Sequence, residues 1–250
     1  MNTLETSAQP TDIASPSPAQ VVPSSTEIET PPALRKNYKI TRELGHGAQG
    51  SVYEATRLSD GTRVAIKQLR IQSVRNWKDY DLFHRESEVL STLDYKGVAK
   101  YYESIEALED DPPAAYIVQE FIEGQSLSTM IKAGYRFTIT QIFELSCQLL
   151  DLLDQLHSHN PPVIHRDIKP SNIILKPMGP HQFQLYLIDF GAVANPQVKG
   201  GGSTVAGTYG YMPPEQLTGR PCPASDTYSL AAMIAGLLGI FRLKLSKYLI

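Results

Sequence analysis

Between Tyr38 and Phe121 apolar and polar positions alternate in short runs separated by turn residues, the period of two that a half-buried strand requires. Tyr38–Leu44, Ser51–Ala55, the run holding Val64–Lys67, Tyr101–Glu106 and Tyr116–Phe121 read as strands, with the acidic, proline-containing stretch Glu109–Pro113 as a loop before the last. Asp60-Gly61 is a strong hairpin signal, so the second and third strands are antiparallel neighbours. One stretch has a different period. From Asp79 to Leu93 the residues Leu82, Phe83, Glu86, Val89, Leu90 and Leu93 recur at spacings of three and four, the stripe of an amphipathic helix. Glu86 is the only charge on that stripe and is expected to point inward. Glu88 lies about 200° away around the helix and faces solvent.

From Thr138 onward the helical period dominates. Ile142, Leu145, Leu149, Leu152, Leu153 and Leu156 form one face of a long helix, and Thr138 with Gln141 has the pattern of a capping box. His157 and His159 fall at its C-terminal turn, where cations are favoured, with no carboxylate near them in sequence. Ile173–Leu175 and Leu185–Ile188 read as a strand pair, and Asp226 opens a further helix. Tyr228 to Phe241 is nearly continuous in apolar residues but short for a membrane span, which suits a buried core helix.

Composition narrows the class without naming it. Of 250 residues, 42% are hydrophobic, enough for a sizeable core. A net charge of −3 gives no case for nucleic acid or an anionic membrane as partner. The two cysteines, Cys147 and Cys222, form no C-x-x-C pair, so neither a disulfide framework nor a zinc site is expected and a reducing cytoplasm fits. Residues 1–36 are rich in Pro, Ser, Thr and Ala, start without the pattern of a signal peptide, and read as a disordered leader.

Five motifs hold the candidate chemistry. Gly45-His46-Gly47-Ala48-Gln49-Gly50-Ser51-Val52 is a G-x-G-x-x-G-x-V run, in which backbone amides approach phosphates with no Cβ in the way. A dinucleotide-binding fold would require a helix after the third glycine; here a strand follows. Val64-Ala65-Ile66-Lys67 places a lysine in an apolar strand, costly unless it is paired. His165-Arg166-Asp167-Ile168-Lys169-Pro170-Ser171-Asn172 supplies a carboxylate for proton transfer, a lysine beside it, and an amide oxygen suited to a hard cation. Asp189-Phe190-Gly191 and Met212-Pro213-Pro214-Glu215 follow in order.

Together these resemble the motif set of the protein kinases, which the chain follows from Tyr38 to about Gly239, and most of all the bacterial branch of eukaryotic-like serine/threonine protein kinases, through the run Gly202 to Gln216. The resemblance implies an α+β bilobal protein-kinase-like fold: an antiparallel sheet with one main helix as N-lobe (37–121), and a mostly helical C-lobe (122–250). It implies ATP-dependent transfer of a phosphoryl group to a Ser or Thr hydroxyl of a protein, with magnesium, or manganese in its place. Asp167 is then the catalytic base, with Lys169 beside the transferring group. Leu44, Gly45, His46, Gly47, Ala48, Gln49, Gly50, Ser51, Val52, Ala65, Lys67 paired with Glu86, the hinge residues Glu120 and Ile122, and Ile174 would line the ATP site. Asn172 and Asp189 would hold the metal. Gln119 takes the gatekeeper position, where an apolar residue is more usual, and Leu90 that of a regulatory hydrophobic stack. Thr208 would face the catalytic Asp and Lys, Asp226 would fix the catalytic loop from below, and Ser203 and Thr204 are candidates for a phosphate received by Arg166.

The last ten residues, Phe241–Ile250, match no segment of that family. The C-lobe therefore reads as truncated, with Glu215 deprived of an arginine partner and with an apolar helix face free to self-associate. A non-catalytic nucleotide- or partner-binding module is the competing reading, and a membrane-anchored fragment ranks below it.

Overall fold

The computed structural model describes residues 28–47, 50–71, 77–193 and 207–240. Five antiparallel strands, β1 (Tyr38–Gly47), β2 (Gly50–Arg57), β3 (Arg63–Arg70), β4 (Tyr101–Ala107) and β5 (Ala114–Glu120), form one sheet in the order β1-β2-β3-β5-β4. Successive side chains of a strand point to opposite faces, and both faces of β5 are covered. Tyr116 and Val118 join Val64, Ile66, Tyr38 and Ile40 in an outer cluster. Ala115 and Ile117 join Leu69 on the inner face.

The leader expectation fails over its last nine positions. A short helix, α1 (Pro32–Arg35), packs on the sheet with Leu34 fully buried in the outer cluster. Thr30 Oγ1 accepts from the Ile40 amide at 3.0 Å, and the Thr30 carbonyl accepts from Arg35 Nε at 2.7 Å. One leucine and two polar side chains are too few to give a periodic signal, yet Leu34 and Thr30 tie this segment to the sheet. The rest of the expected leader lies outside the described residues.

The helix α2 (Trp77–Thr92) starts two residues earlier than its periodicity predicts and lies against the inner face, with Phe83 and Leu90 buried. A two-residue strand β6 (Gln125–Ser126) leads into α3 (Leu127–Lys132), capped by Ser126 Oγ accepting from the Thr129 amide at 3.0 Å. The helix α4 (Ile139–Ser158) has the capping box expected of Thr138 and Gln141 and buries the predicted leucine face. Then come β7 (Ile173–Gly179) and β8 (Gln182–Leu187), paired antiparallel, and the helices α5 (Pro214–Leu217) and α6 (Pro223–Leu237). Asp226 lies inside the first turn of α6, which begins at Pro223, rather than at its opening. The inner cluster runs without interruption from Leu69, Phe83, Leu90 and Ile117 to Leu149, Leu153, Ile173, Leu230 and Met233, so one apolar core spans the sheet and the helical half.

Candidate active site

Three chain segments converge on Lys67. Its Nζ, on β3, donates to both carboxylate oxygens of Glu86 on α2, each at 2.7 Å, and to Asp189 Oδ1 at 2.7 Å. Glu86 is buried, so the inward orientation read from its stripe is the observed one, while Glu88 is exposed. Burial pushes the Glu86 carboxyl above its usual range against the pull of Lys67. Burial also opposes the Lys67 charge, but Glu86 and Asp189 outweigh it and hold the ammonium above its ordinary range. Lys67 in turn draws Asp189 down to about 2, so that carboxylate stays ionised. Asp189 has a left-handed backbone (φ 65°) that turns the chain from β8 into the short helical turn Phe190–Ala192. Phe190 is buried among the inner cluster, and its ring meets the His165 ring edge-on, 4.9 Å between centroids.

The glycine run joins β1 to β2 as a hairpin. Gly45 pairs with Val52, His46 with Ser51 and Gly47 with Gly50, and His46 Nδ1 lies 2.8 Å from Ser51 Oγ. Gly50 approaches β3 so closely that a Cβ there would collide with the Gln68 carbonyl. Ala48 and Gln49 lie outside the described residues. Leu44 is exposed on β1, Val52 stands opposite Lys67, and Ala65 stands opposite Gln119. Beyond β5, Ile122 is buried, and Gly124 packs against Ile174 and the Leu175 carbonyl with no room for a Cβ. Glu120 accepts from the Lys100 amide through Oε2 at 3.3 Å.

An unforeseen charge chain links this hinge to the sheet. Glu54, buried on β2, accepts from Arg42 Nε at 2.7 Å and from Arg63 Nε at 2.8 Å. Arg63 also pairs with Glu123 and lies over the Phe121 ring. Sequence periodicity marks none of these residues, because each is an ordinary surface charge until the strands are paired.

The second group gathers on Asp167. Thr208 Oγ1 donates to its Oδ1 at 2.8 Å; Lys169 Nζ donates to its Oδ2 at 2.7 Å and to Thr208 Oγ1 at 2.9 Å. Asn172 Nδ2 donates to the Asp167 carbonyl at 2.9 Å and to its Oδ2 at 3.1 Å. Beneath the loop, the buried Asp226 accepts from the amides of His165 (2.9 Å, Oδ2) and Arg166 (2.8 Å, Oδ1). His157 Nε2 lies 2.9 Å from the same Oδ2, so this histidine has a carboxylate partner that is distant in sequence and adjacent in space. Ser203 and Thr204, the candidate phosphate sites, lie outside the described residues.

The match extends beyond geometry: the protein kinase domain family matches residues 38–242. The chain belongs to the protein kinase family. It is similar to the serine/threonine-protein kinase PknA of Nostoc sp., 35% identical over 211 residues that cover 79% of this chain and 36% of that protein. It is similar also to serine/threonine-protein kinase C of Synechocystis sp., 34% identical over 233 residues (86% of this chain, 41% of that one), and to PknB of Mycobacterium leprae, 31% over 218 residues (84% and 34%). The chain thus spans between 34% and 41% of the length of these three bacterial serine/threonine-protein kinases. As expected of a kinase, sheet and helices form an α+β fold. Glu215, expected to lack an arginine, has a hydroxyl partner close in the chain: Ser225 Oγ donates to its Oε1 at 2.7 Å. No helix among the described residues is long and apolar enough to cross a membrane.

Proposed function

We propose that this chain is an ATP- and magnesium-dependent serine/threonine protein kinase domain, with an N-lobe ending near Phe121 and the C-lobe following it. One observation supports this above the others. The Asp167 carboxylate is held by three side chains, while Lys67, Glu86 and Asp189 form a separate ion-paired group. Asp167 takes the proton of a Ser or Thr hydroxyl; Thr208 and Lys169 fix its two oxygens, and Lys169 adds positive charge beside the transferring phosphoryl group. Lys67, locked by Glu86, places the α and β phosphates under the glycine hairpin, and the backbone of Glu120–Ile122 receives the adenine edge. The gain is then mainly positioning and charge stabilisation.

The residues also fit a hard divalent cation, magnesium or manganese. Asp189 is ionised and partly exposed, Asn172 offers an amide oxygen, and Gly191 leaves clear the space that a Cβ would fill within 3.2–3.4 Å of Glu86, Lys67 and Asp189. When bound, the ion neutralises charge on the phosphates; Asn172 and Asp189 are the residues that would hold it.

Incubating the purified chain with labelled ATP, magnesium and a Ser/Thr-containing protein tests the reading, beside Asp167→Asn. Turnover in the parent with ATP affinity retained and turnover lost in the variant is the expected result. A second reading, a nucleotide- or partner-binding module of low activity, draws on Tyr228, Leu238 and Ile240, all at least 46% exposed at the end of the described chain. ATP binding without turnover, together with concentration-dependent association, would favour it.

A further inference from the structure

Just beyond Pro213-Pro214-Glu215 lies a buried amide that the proposed reaction does not use. Gln216, on α5, is 1% exposed, and its Nε2 donates to the Arg166 carbonyl oxygen at 2.6 Å. Arg166 immediately precedes Asp167 and has a positive φ of 70°, a conformation a non-glycine residue keeps only where its surroundings over-determine it. Its amide is already bound by Asp226 Oδ1. Both peptide groups flanking the Arg166 Cα are therefore fixed, one by α6 and the other by α5. The second is decisive, because the Arg166 carbonyl and the Asp167 amide share one rigid plane. A donor on that oxygen sets the plane from which the Asp167 side chain departs.

The same pair of atoms is closed from a third side. A Cβ on Gly207 would meet the Gln216 amide and would lie 2.9 Å from the Arg166 oxygen, so the backbone before Thr208 rests directly on the Gln216–Arg166 bond. Thr208 then reaches Asp167 Oδ1. The α5 turn, the Gly207–Thr208 segment and the Asp167 carboxylate thus meet at one side-chain amide.

We propose that Gln216 is a positioning residue for phosphoryl transfer: it orients the Arg166–Asp167 peptide and couples the Gly207–Thr208 segment to the Asp167 carboxylate. The inference rests on the kinase reading above. It assigns Gln216 no contact with substrate, nucleotide or metal. An ionised glutamate there could not donate to the carbonyl, and a methionine would fill the space without donating.

The test uses the full chain with Gln216→Met and Gln216→Glu. Turnover is expressed per nucleotide-binding site, counted by calorimetry with ADP, so a fraction of unfolded protein does not enter. The expected result for Gln216→Met is a fall in kcat of about tenfold or more, as misplacement of a reacting group produces, with the KM for ATP and the ADP affinity within about twofold of the parent. Gln216→Glu should fall further. A space-filling role alone would lower the melting temperature and leave kcat per site unchanged; kcat within about twofold in Gln216→Met overturns the proposal. Hydrogen exchange of the 165–169 backbone supplies a readout that needs no turnover. Faster exchange at Asp167 in Gln216→Met supports the assignment and unchanged exchange refutes it. Absence of turnover in the parent would count against the kinase reading and leave the exchange result to decide on Gln216.

Discussion

Arg63 lies over the ring of Phe121, its guanidinium carbon 4.3 Å from the ring centroid, where the sheet gives way to the hinge. The same guanidinium pairs with Glu123 and with the buried Glu54, so one side chain at the start of β3 holds the hinge while Lys67, four residues along that strand, holds Glu86 and Asp189. The two ends of a bound nucleotide would then be referred to a single strand. Arg63→Ala should raise the KM for ATP about threefold with little change in kcat, since a partly exposed stack and ion pair are each worth roughly 0.5–1 kcal/mol. Arg63→Lys should restore little of it, because an ammonium cannot fork between two carboxylates while stacking on a ring. Steady-state kinetics with varied ATP decides; an unchanged KM in Arg63→Ala would show that the hinge holds itself.

Removing Lys67 should damage stability as well as activity. Lys67→Met leaves Glu86 buried without its partner, a change expected to cost roughly 3–5 kcal/mol where the pair is fully buried and less here, since Lys67 is partly exposed. The double variant Lys67→Met, Glu86→Gln should regain most of that stability and none of the phosphoryl transfer. Denaturant unfolding beside single-turnover kinetics checks both halves. Equal stability of the single and double variants would mean that the pair is not a buried one in energetic terms.

His165 should make the fold acid-sensitive well before the carboxylates do. Burial lowers its pKa below the ordinary 6.5, against the pull of Asp226, Asp167 and Asp189 nearby. A depressed folded pKa means that the unfolded chain takes up the proton first. Its contribution is therefore complete above pH 6.5 and is lost as pH falls below it, with a slope of at most about 1.4 kcal/mol per pH unit from this one group. Asp189, drawn down to about 2, contributes fully above pH 3.8 and loses its share only between there and about pH 2. Unfolding free energies measured from pH 7.5 to 5 should fall, and should fall less steeply in His165→Phe. Equal slopes in the two proteins would assign the acid sensitivity elsewhere.

Leu90 is fully buried in the inner cluster, one helical turn beyond Glu86 and in the same cluster as Phe190. Leu90→Ala should cost about 2–5 kcal/mol through lost burial and the cavity left behind. It should also lower turnover in the protein that remains folded, because α2 loses part of its seat and Glu86 its fixed distance to Lys67. Calorimetric melting and turnover per ADP-binding site separate the two effects; a stability loss with full turnover per site would confine Leu90 to packing.

The sequence disclosed those parts of the molecule that have a period or a fixed local spacing. The stripe through Glu86 and the leucine face of α4 are periodic, and the catalytic-loop and Asp189 motifs are contiguous. Leu34 was missed because a single anchor has no period, and four helical residues are too few to display one. His157, Arg63 and Gln216 were missed for another reason. Their partners come together only once the chain is folded: Asp226, Phe121 and the Arg166 carbonyl are distant in sequence, Glu54 lies across a hairpin from Arg63, and the carbonyl is a backbone atom without a side-chain signature.

The apolar core that joins the sheet to the helices gives the protein two boundaries that do not coincide. By its motifs the chain divides near Phe121, with the glycine run and Lys67 on one side and Asp167 on the other. By cohesion it divides within the thickness of the sheet. The inner faces of β3 and β5 share their neighbours with α4 and α6, whereas the outer faces share theirs with α1. A cut at the hinge would therefore strip the sheet of half its lining. Leu69, two residues along β3 from Lys67, lies in the inner cluster, so the strand that holds Lys67 is seated on the helices below, while α1 covers only the outer face.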